Sequence, residues 1–193
     1  GFRHLESLTP GIAYEDASAL LWRERQIKSE AELAYLRQAA GITTAGFAQL
    51  FSQPLEGRTE EEVQRELSRF MLEQGADRVG FITANADTSG TYPGGYGDKT
   101  FRRGQLGNID SGCVVRGYWA DFCRNCTPGH DDSGIEDAAR VMAHYVEVSL
   151  GEIRAGRTAA EVADHIGQEM RKRTNGRFPD EKTDVMHHFG HGL

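Results

Sequence analysis

The sequence predicts a fold of helices and antiparallel strands built from a duplicated helix–helix–strand unit. Two segments carry the same pattern 99 residues apart: Gly57-Arg58-Thr59-x-x-Glu62-Val63 and Gly156-Arg157-Thr158-x-x-Glu161-Val162. In each copy a long helical pattern precedes the segment and a strand-like pattern follows it. Since Gly-x-Thr-x-x-Glu also suits an ordinary link between the end of one helix and the start of the next, a recurrent linker is the alternative to duplication.

The predicted elements follow from apolar spacing and from the residues that begin and end helices. Ser29 with Glu32 forms one capping box, and Thr59 with Glu62 forms a second, whose helix ends at Gly75. In order, we predict helix 30–51, helix 60–74, strand 78–83, a loop at 85–98, a hairpin at 106–125, helix 134–155, a helix from 158 into the basic turn at 171–176, and a last strand at 184–193.

Residues 1–27 are predicted to be the end of an N-terminal domain or a linker. They hold one short helical patch, at 14–22, followed by a charged connector at 23–26. The main domain then covers residues 28–193. Its second copy of the repeat ends at Leu193 before a hairpin could form, so we expect the second half of the domain to be incomplete.

Composition narrows the class of protein. The 193 residues suit one ordinary domain, and 22 Lys and Arg against 29 Asp and Glu give a net charge of −7, which argues against nucleic acid as a partner. No apolar run approaches the roughly 20 residues of a membrane span, and the first ten residues show no signal-peptide pattern. Three cysteines, an odd number, favour a reducing compartment, which we take to be the cytoplasm.

The hairpin carries a candidate metal site. Folding it about the midpoint between Val115 and Arg116 places Asp110 directly opposite Asp121, where two carboxylates repel each other unless a cation lies between them. His191, between two glycines, is the candidate imidazole ligand. Together these groups form an oxygen and nitrogen set that suits Zn, Mn, Fe or Co. The alternative is that each aspartate only caps a turn.

Three segments, in this order, resemble the motifs of the methionine aminopeptidase, Xaa-Pro peptidase and creatinase superfamily, M24. They are Asn108-Ile109-Asp110-Ser111-Gly112, Gly117-Tyr118-Trp119-Ala120-Asp121-Phe122-Cys123-Arg124-Asn125 and Gly190-His191-Gly192-Leu193. The spacing of eleven residues between the two aspartates fits as well. Ile27-Lys28-Ser29 with Glu32 resembles the start of the catalytic domain in the Xaa-Pro-peptidase branch, so the resemblance covers residues 27–193.

The resemblance implies an α+β "pita-bread" fold, in which helices back a curved, mainly antiparallel sheet made of two related halves. It also implies two divalent metal ions, with Asp110 and Asp121 as bridging or chelating ligands and His191 on one metal. Two glutamate ligands of the family lie beyond its Gly-His-Gly segment, and this chain ends two residues after His191. We therefore expect the chain by itself to be truncated and inactive.

The function implied is a metal-dependent hydrolase that attacks a peptide or dipeptide with a metal-bound hydroxide. The Xaa-Pro branch usually carries a substrate-side histidine before its first aspartate, and no histidine lies between Arg78 and Asp110 here. Tyr92 and Tyr96 occupy that stretch and are the predicted substrate contacts. Xaa-Pro hydrolysis is therefore in question, and the alternatives are a small-molecule C–N hydrolase or lyase of the same fold and a non-enzymatic module that binds peptides or proteins.

Two further assignments stay open at this point. His187 is the candidate for a catalytic role, because alternation along a strand puts it on the face of His191; a surface histidine is the alternative. The predicted partner is a peptide or small-molecule substrate, and a homodimer is left open.

Overall fold

The computed structural model describes residues 2–87, 97–129 and 135–174, and within them the chain forms six helices and four strands. The contacts divide it into two compact units, with the boundary between Ala34 and Tyr35. The division predicted at residue 27 stays a prediction. None of the helices in the described ranges is both long and apolar enough to cross a membrane.

The first unit contains α1 (Phe2–Leu8) and α2 (Ser18–Gln26), and every residue of both helices is exposed. The sequence had indicated one helical patch at 14–22 and nothing for α1. The second helix begins later than predicted, where the Asp16 carboxylate accepts a hydrogen bond from the Ser18 N–H at 2.8 Å. A side chain that bonds the backbone in this way favours a helix start immediately after it.

The remaining elements agree in type and order with the sequence prediction. They are α3 (Glu30–Phe51), α4 (Glu60–Glu73), β1 (Arg78–Asn85), β2 (Gly107–Val115), β3 (Tyr118–Trp119), β4 (Phe122–Cys126), α5 (Ile135–Glu152) and α6 (Ala159–Thr174). The strand predicted at 184–193 lies outside the described residues.

The sheet is antiparallel and centred on β2. One edge of β2 pairs with β1, and the other edge pairs with β3 and then β4. Arg116 and Gly117 connect β2 to β3 with φ angles of 51° and 87°. Two positive φ values in a two-residue loop define the type I′ turn, whose twist matches that of paired strands.

The predicted register of this hairpin is wrong. The turn removes Arg116 and Gly117 from the strands, so Val115 pairs with Tyr118 and Asp110 lies opposite Cys123 rather than Asp121. Folding about the midpoint between residues 115 and 116 had left no room for a two-residue turn. The error is two residues along β4, and because side chains alternate with a period of two, it moves the aspartates apart without changing their face.

The core lies between the sheet and the helices of the first repeat copy. Its largest fully buried side chains include Leu50, Leu67, Met71, Phe101 and Ile109. A second, smaller cluster joins α5 to α6. It contains Tyr145, Val162, Ile166 and Met170.

The two copies of the repeated segment have the same geometry wherever both are described. The Thr59 N–H donates to Glu62 Oε2 at 2.8 Å, and the Thr158 N–H donates to Glu161 Oε2 at the same distance. Each segment begins with a glycine whose φ is positive, 86° at Gly57 and 88° at position 156. This agreement supports duplication, although the strand of the second copy lies outside the described residues.

Candidate active site

One face of the sheet is covered by polar side chains in two cross-strand rows. Side chains directly opposite each other across antiparallel strands lie on the same face, and alternate residues of one strand share that face. The rows are Thr83, Asp110 and Cys123, and next to it Asn85, Asn108 and Asn125, and we call these six residues the polar face. The other face of the same strands carries Ala84 and Ile109, which are fully buried in the core.

Asn108 ties β2 to β4 within the polar face. Its Nδ2 donates hydrogen bonds to Cys123 Sγ and to Asn125 Oδ1, both at 2.9 Å. The residue is only 8% exposed. An amide that is held by two partners and packed on all sides has little rotational freedom, so Asn108 orients two side chains of β4 around Asp110.

Cys123 lies near both aspartates, because Asp110 is directly opposite it in the ladder and Asp121 stands two positions before it. Desolvation raises the pKa of the Cys123 thiol, the hydrogen bond from Asn108 lowers it, and the negative charges of Asp110 and Asp121 raise it further. A carboxylate perturbs a thiol in this way only at short range. Asp110 and Asp121, which we call the acidic group, therefore lie on the same side of the sheet as the polar face, although they are not a cross-strand pair.

Gly112 determines the path of the chain at Asp121. The ladder is interrupted between β3 and β4, where the Ala120 N–H donates to the Cys113 carbonyl at 2.9 Å. A Cβ atom on Gly112 would lie 1.6 Å from the Ala120 carbonyl oxygen and 3.1 Å from the Asp121 nitrogen. Only glycine permits this approach. The peptide between Ala120 and Asp121 therefore packs directly against Gly112, which is two residues along β2 from Asp110.

Three buried polar atoms of the polar face have no hydrogen-bond partner among the described residues: Thr83 Oγ1, Asn85 Nδ2 and Asn108 Oδ1. Leaving such a group unsatisfied costs about 1–3 kcal/mol, and in native proteins it usually marks a water, an ion or a functional site. Thr83 Oγ1 lies in the row of Asp110, and the two amide atoms lie in the neighbouring row. The arrangement therefore suits a polar ligand at this face.

The donors present match a divalent cation in kind, since carboxylate oxygens suit such ions. Within residues 2–87, 97–129 and 135–174, however, no three His, Cys, Asp or Glu side chains form a group that could hold a metal ion. The fit is therefore partial: Asp110 and Asp121 can contribute ligands, and a complete set needs groups from elsewhere.

The other predicted site residues lie outside the described residues. This applies to Tyr92, Tyr96, His187 and His191. A surface cleft of about 490 Å³ is lined by Glu61, Gln64, Gly97 and Asp98. Because this lining includes no residue of the polar face, we do not take the cleft to be the active site.

Sequence reasoning identified the aspartates and missed the polar residues around them. The available signal was polar alternation: Thr83 with Asn85 on one strand, Asn108 with Asp110 on the next, and Asp121, Cys123 and Asn125 on the third. Cys123 and Cys126 are both residues of β4. They lie on opposite faces, because three positions separate them, and Cys126 packs against the core.

The chain is similar to known metallopeptidases. Residues 34–193 match the model of metallopeptidase family M24. The uncharacterized peptidase YqhT of Bacillus subtilis is 30% identical over 148 residues, which cover 74% of this chain and 42% of the relative. The Xaa-Pro dipeptidase of Pyrococcus furiosus is 26% identical over 171 residues, which cover 88% of this chain and 47% of the relative.

The fold has close counterparts among solved structures. The prolidase from Pyrococcus furiosus matches with a TM-score of 0.80 at 21% identity, covering 94% of this chain and 55% of that one. This likeness confirms the predicted pita-bread α+β fold, and the Xaa-Pro dipeptidases among the relatives confirm the predicted resemblance. The chain spans less than half the length of the two curated relatives.

Proposed function

Because the chain belongs to metallopeptidase family M24, we propose that the whole protein is a metal-dependent peptidase that hydrolyses a peptide or dipeptide. The observation that carries this proposal is the acidic group on the side of the sheet that bears the polar face. Asp110 lies in one row with the buried, unsatisfied Thr83 Oγ1, and the Asp121 backbone packs against Gly112, two residues along β2 from Asp110. The relatives named dipeptidases support the dipeptide as substrate.

Asp110 and Asp121 would hold two divalent cations, together with His191 and further ligands that the described residues do not supply. Such cations, Mn, Co, Zn or Fe, contribute Lewis-acid polarisation of the scissile carbonyl and activation of water. The described residues around the aspartates fix their surroundings on two sides. Asn108 orients the neighbouring row, and the apolar layer of Ala84 and Ile109 closes the opposite side of the sheet to water.

The substrate preference follows from the stretch before β2. No histidine lies between Arg78 and Asp110, and the predicted contacts there are Tyr92 and Tyr96. A tyrosine hydroxyl, with a pKa of about 10, is a weaker acid than a histidine, and losing one donor to the developing oxyanion costs about 10²- to 10³-fold in rate. We therefore propose that Xaa-Pro dipeptides are poor substrates.

The test compares the whole protein with its Asp110→Asn and Asp121→Asn variants, and uses Asp137→Asn as a matched control because Asp137 is an exposed residue of α5 paired with Arg140. Bound metal is measured after dialysis, and hydrolysis is measured on a panel of dipeptides with Mn, Co, Zn and Fe supplied in turn. We expect about two ions and turnover in the wild type and the control, and loss of both in the two site variants.

Two outcomes would contradict the proposal. Full metal content and turnover in both site variants would show that the acidic group is not the metal site. Turnover of a panel of small-molecule amides with none of any dipeptide would favour the C–N hydrolase of the same fold. For the substrate preference, kcat/KM above about 10⁴ M⁻¹s⁻¹ on Xaa-Pro dipeptides would show that the missing histidine is immaterial.

A further inference from the structure

Two glycines on adjacent strands lie next to the row that contains Asp110. Gly112 is two residues along β2 from Asp110, and a Cβ atom on Gly80 would lie 3.1 Å from the Gly112 carbonyl oxygen. Gly80 is the extra residue of a β-bulge in β1, because the register with β2 shifts between Val79 and Phe81. Bulges and strand glycines mark places where other parts of the chain approach closely, and bulges are frequent next to active sites.

The ring of Trp119 fills the space over Gly80. A Cβ atom on Gly80 would lie 2.6 and 2.7 Å from the ring carbons Cζ3 and Cε3, so the ring rests directly on the backbone of β1. The Arg78 guanidinium lies 4.6 Å from the centre of the same ring, which is a cation–π contact. Arg78 and Trp119 both pair with Val114, one from each side. The Trp119 side chain therefore reaches across β2 and is held by two residues of β1.

These contacts lie on the side of the sheet that carries the polar face. Val114 and Asp110 are four residues apart on β2, so their side chains share a face, and Trp119, directly opposite Val114, shares it too. Cys113 and Val115 lie on the other face, in the main core, whereas Val114 is buried to 2% exposure on the polar side. The ring of Trp119 therefore covers the end of β2 that follows the acidic group.

Only Ala120 separates Trp119 from Asp121. Ala120 and Asp121 form the connection between β3 and β4, and the hydrogen bond from the Ala120 N–H to β2 holds its middle. The register on both sides of this connection places Asp121 opposite Gly112, one row from Asp110. Because the connection is so short, a shift of Trp119 would move Asp121 relative to Asp110.

We propose that Trp119 is a positioning residue for Asp121, the second carboxylate of the proposed metal site. Its ring, held by Gly80 and Arg78, fixes the start of the connection between β3 and β4. This fixes the separation of Asp121 from Asp110, on which the binding of a cation by both carboxylates depends. The inference rests on the proposed peptidase function. The alternative is that the ring only covers apolar surface.

The experiment compares Trp119→Ala, which removes the ring, with Trp119→Phe, which keeps an aromatic ring to rest on Gly80. Trp22→Ala is the matched control, because Trp22 is an exposed tryptophan of α2 with an arginine 5.5 Å from its ring centre. In the whole protein, the affinity for Co²⁺ is measured by titration followed by visible absorption. Hydrogen exchange at the Ala120 amide and thermal unfolding are measured without metal.

In Trp119→Ala we expect the dissociation constant for Co²⁺ to rise about tenfold or more, and the Ala120 amide to exchange at least about tenfold faster. Trp119→Phe and Trp22→Ala should stay within about threefold of the wild type in both quantities. A ring that only covers apolar surface would lower the midpoint of thermal unfolding and leave the Co²⁺ affinity and spectrum unchanged. If Trp119→Ala fails to fold, Trp119→Leu, which fills part of the space without a ring, gives the same comparison.

Each contrary outcome contradicts a different statement. Faster exchange at Ala120 with unchanged Co²⁺ affinity would overturn the positioning of Asp121. Unchanged exchange would overturn the fixing of the connection by the ring. A wild-type protein that binds no Co²⁺ and hydrolyses no dipeptide would overturn the proposed function and, with it, the role of Trp119. Co²⁺ binding that is the same in the wild type and in Trp119→Ala would overturn only that role.

Discussion

The helix pairs α3–α4 and α5–α6 share their local geometry and differ in what the first helix of each pair buries. Their capping boxes have the same Thr N–H to Glu Oε2 distance, 2.8 Å. The second helices also bury matching positions. These are Val63, Leu67 and Met71 on α4, and Val162, Ile166 and Met170 on α6.

The first helices diverge at matched positions. Phe47 and Leu50 of α3 are buried in the main core, at 4% and 1% exposure. Their counterparts on α5 are Val146, which is 53% exposed, and Ser149, which is also buried, at 5% exposure, but is polar and donates its hydroxyl to the Tyr145 carbonyl of its own helix at 2.7 Å. The α3–α4 pair packs on a sheet, whereas the described residues include no strand after β4. The same local signals therefore form both helix pairs, and the sheet under α3 covers the apolar side chains that α3 carries at these positions.

The largest expected effect tests whether the two hydrophobic clusters contribute unequally to the free energy of unfolding. Leu67→Ala should lower the free energy of unfolding by about 2–5 kcal/mol, because it leaves a cavity in the large core under the sheet. The matched change, Ile166→Ala, should cost less, because the cluster around it is small enough to collapse partly into the space. Denaturant unfolding followed by far-UV circular dichroism measures both. Equal losses would mean that the two helix pairs are equally well supported.

An intermediate effect tests whether the two capping boxes are equivalent. Thr59→Ala and Thr158→Ala should each cost about 1 kcal/mol, since each removes an oxygen that accepts a hydrogen bond at 3.2 Å from the glutamate N–H three residues later. Hydrogen exchange in the first turns of α4 and α6 locates the loss, and Thr59→Ser and Thr158→Ser, which keep the hydroxyl, should restore protection. A clear difference between the two alanine variants would break the equivalence of the copies.

The smallest expected effect is on the pH dependence of stability. The backbone hydrogen bond from Thr59 holds the pKa of Glu62 below its usual 4.5, and the bond from Thr158 does the same for Glu161. A carboxyl whose pKa is lower in the folded state stabilises the fold above its unfolded pKa, and this contribution is lost as the pH falls through the folded pKa. Thermal unfolding from neutral pH to about pH 3 should therefore show a shallower decline in Glu62→Gln and in Glu161→Gln than in the wild type. Profiles identical to that of the wild type would show that the boxes contribute no pH dependence.

Most of the secondary structure was predictable because its signals are local. Helix α3 begins and ends where its capping box and apolar spacing indicate, and α4 ends at Glu73, two residues before Gly75, whose φ is 95°. Both aspartates of the acidic group could be found from their positions in the hairpin. The short helix α1 was missed, since its apolar residues Phe2, Leu5 and Leu8 span only two turns and none of them is buried.

The amino-acid sequence by itself determined the helix starts, the alternation that puts Asp110 and Asp121 on one face, and the motifs of the family. Tertiary structure decided which residues meet there. The partner of Asp110 depends on two positive φ angles at the turn, which set Cys123 opposite it. Asn85 reaches Asn108 only through the pairing of β1 with β2, and Glu60 reaches Ala86 only when α4 packs beside β1. Contacts between distant segments depend on loop closure and packing, and no local pattern encodes either.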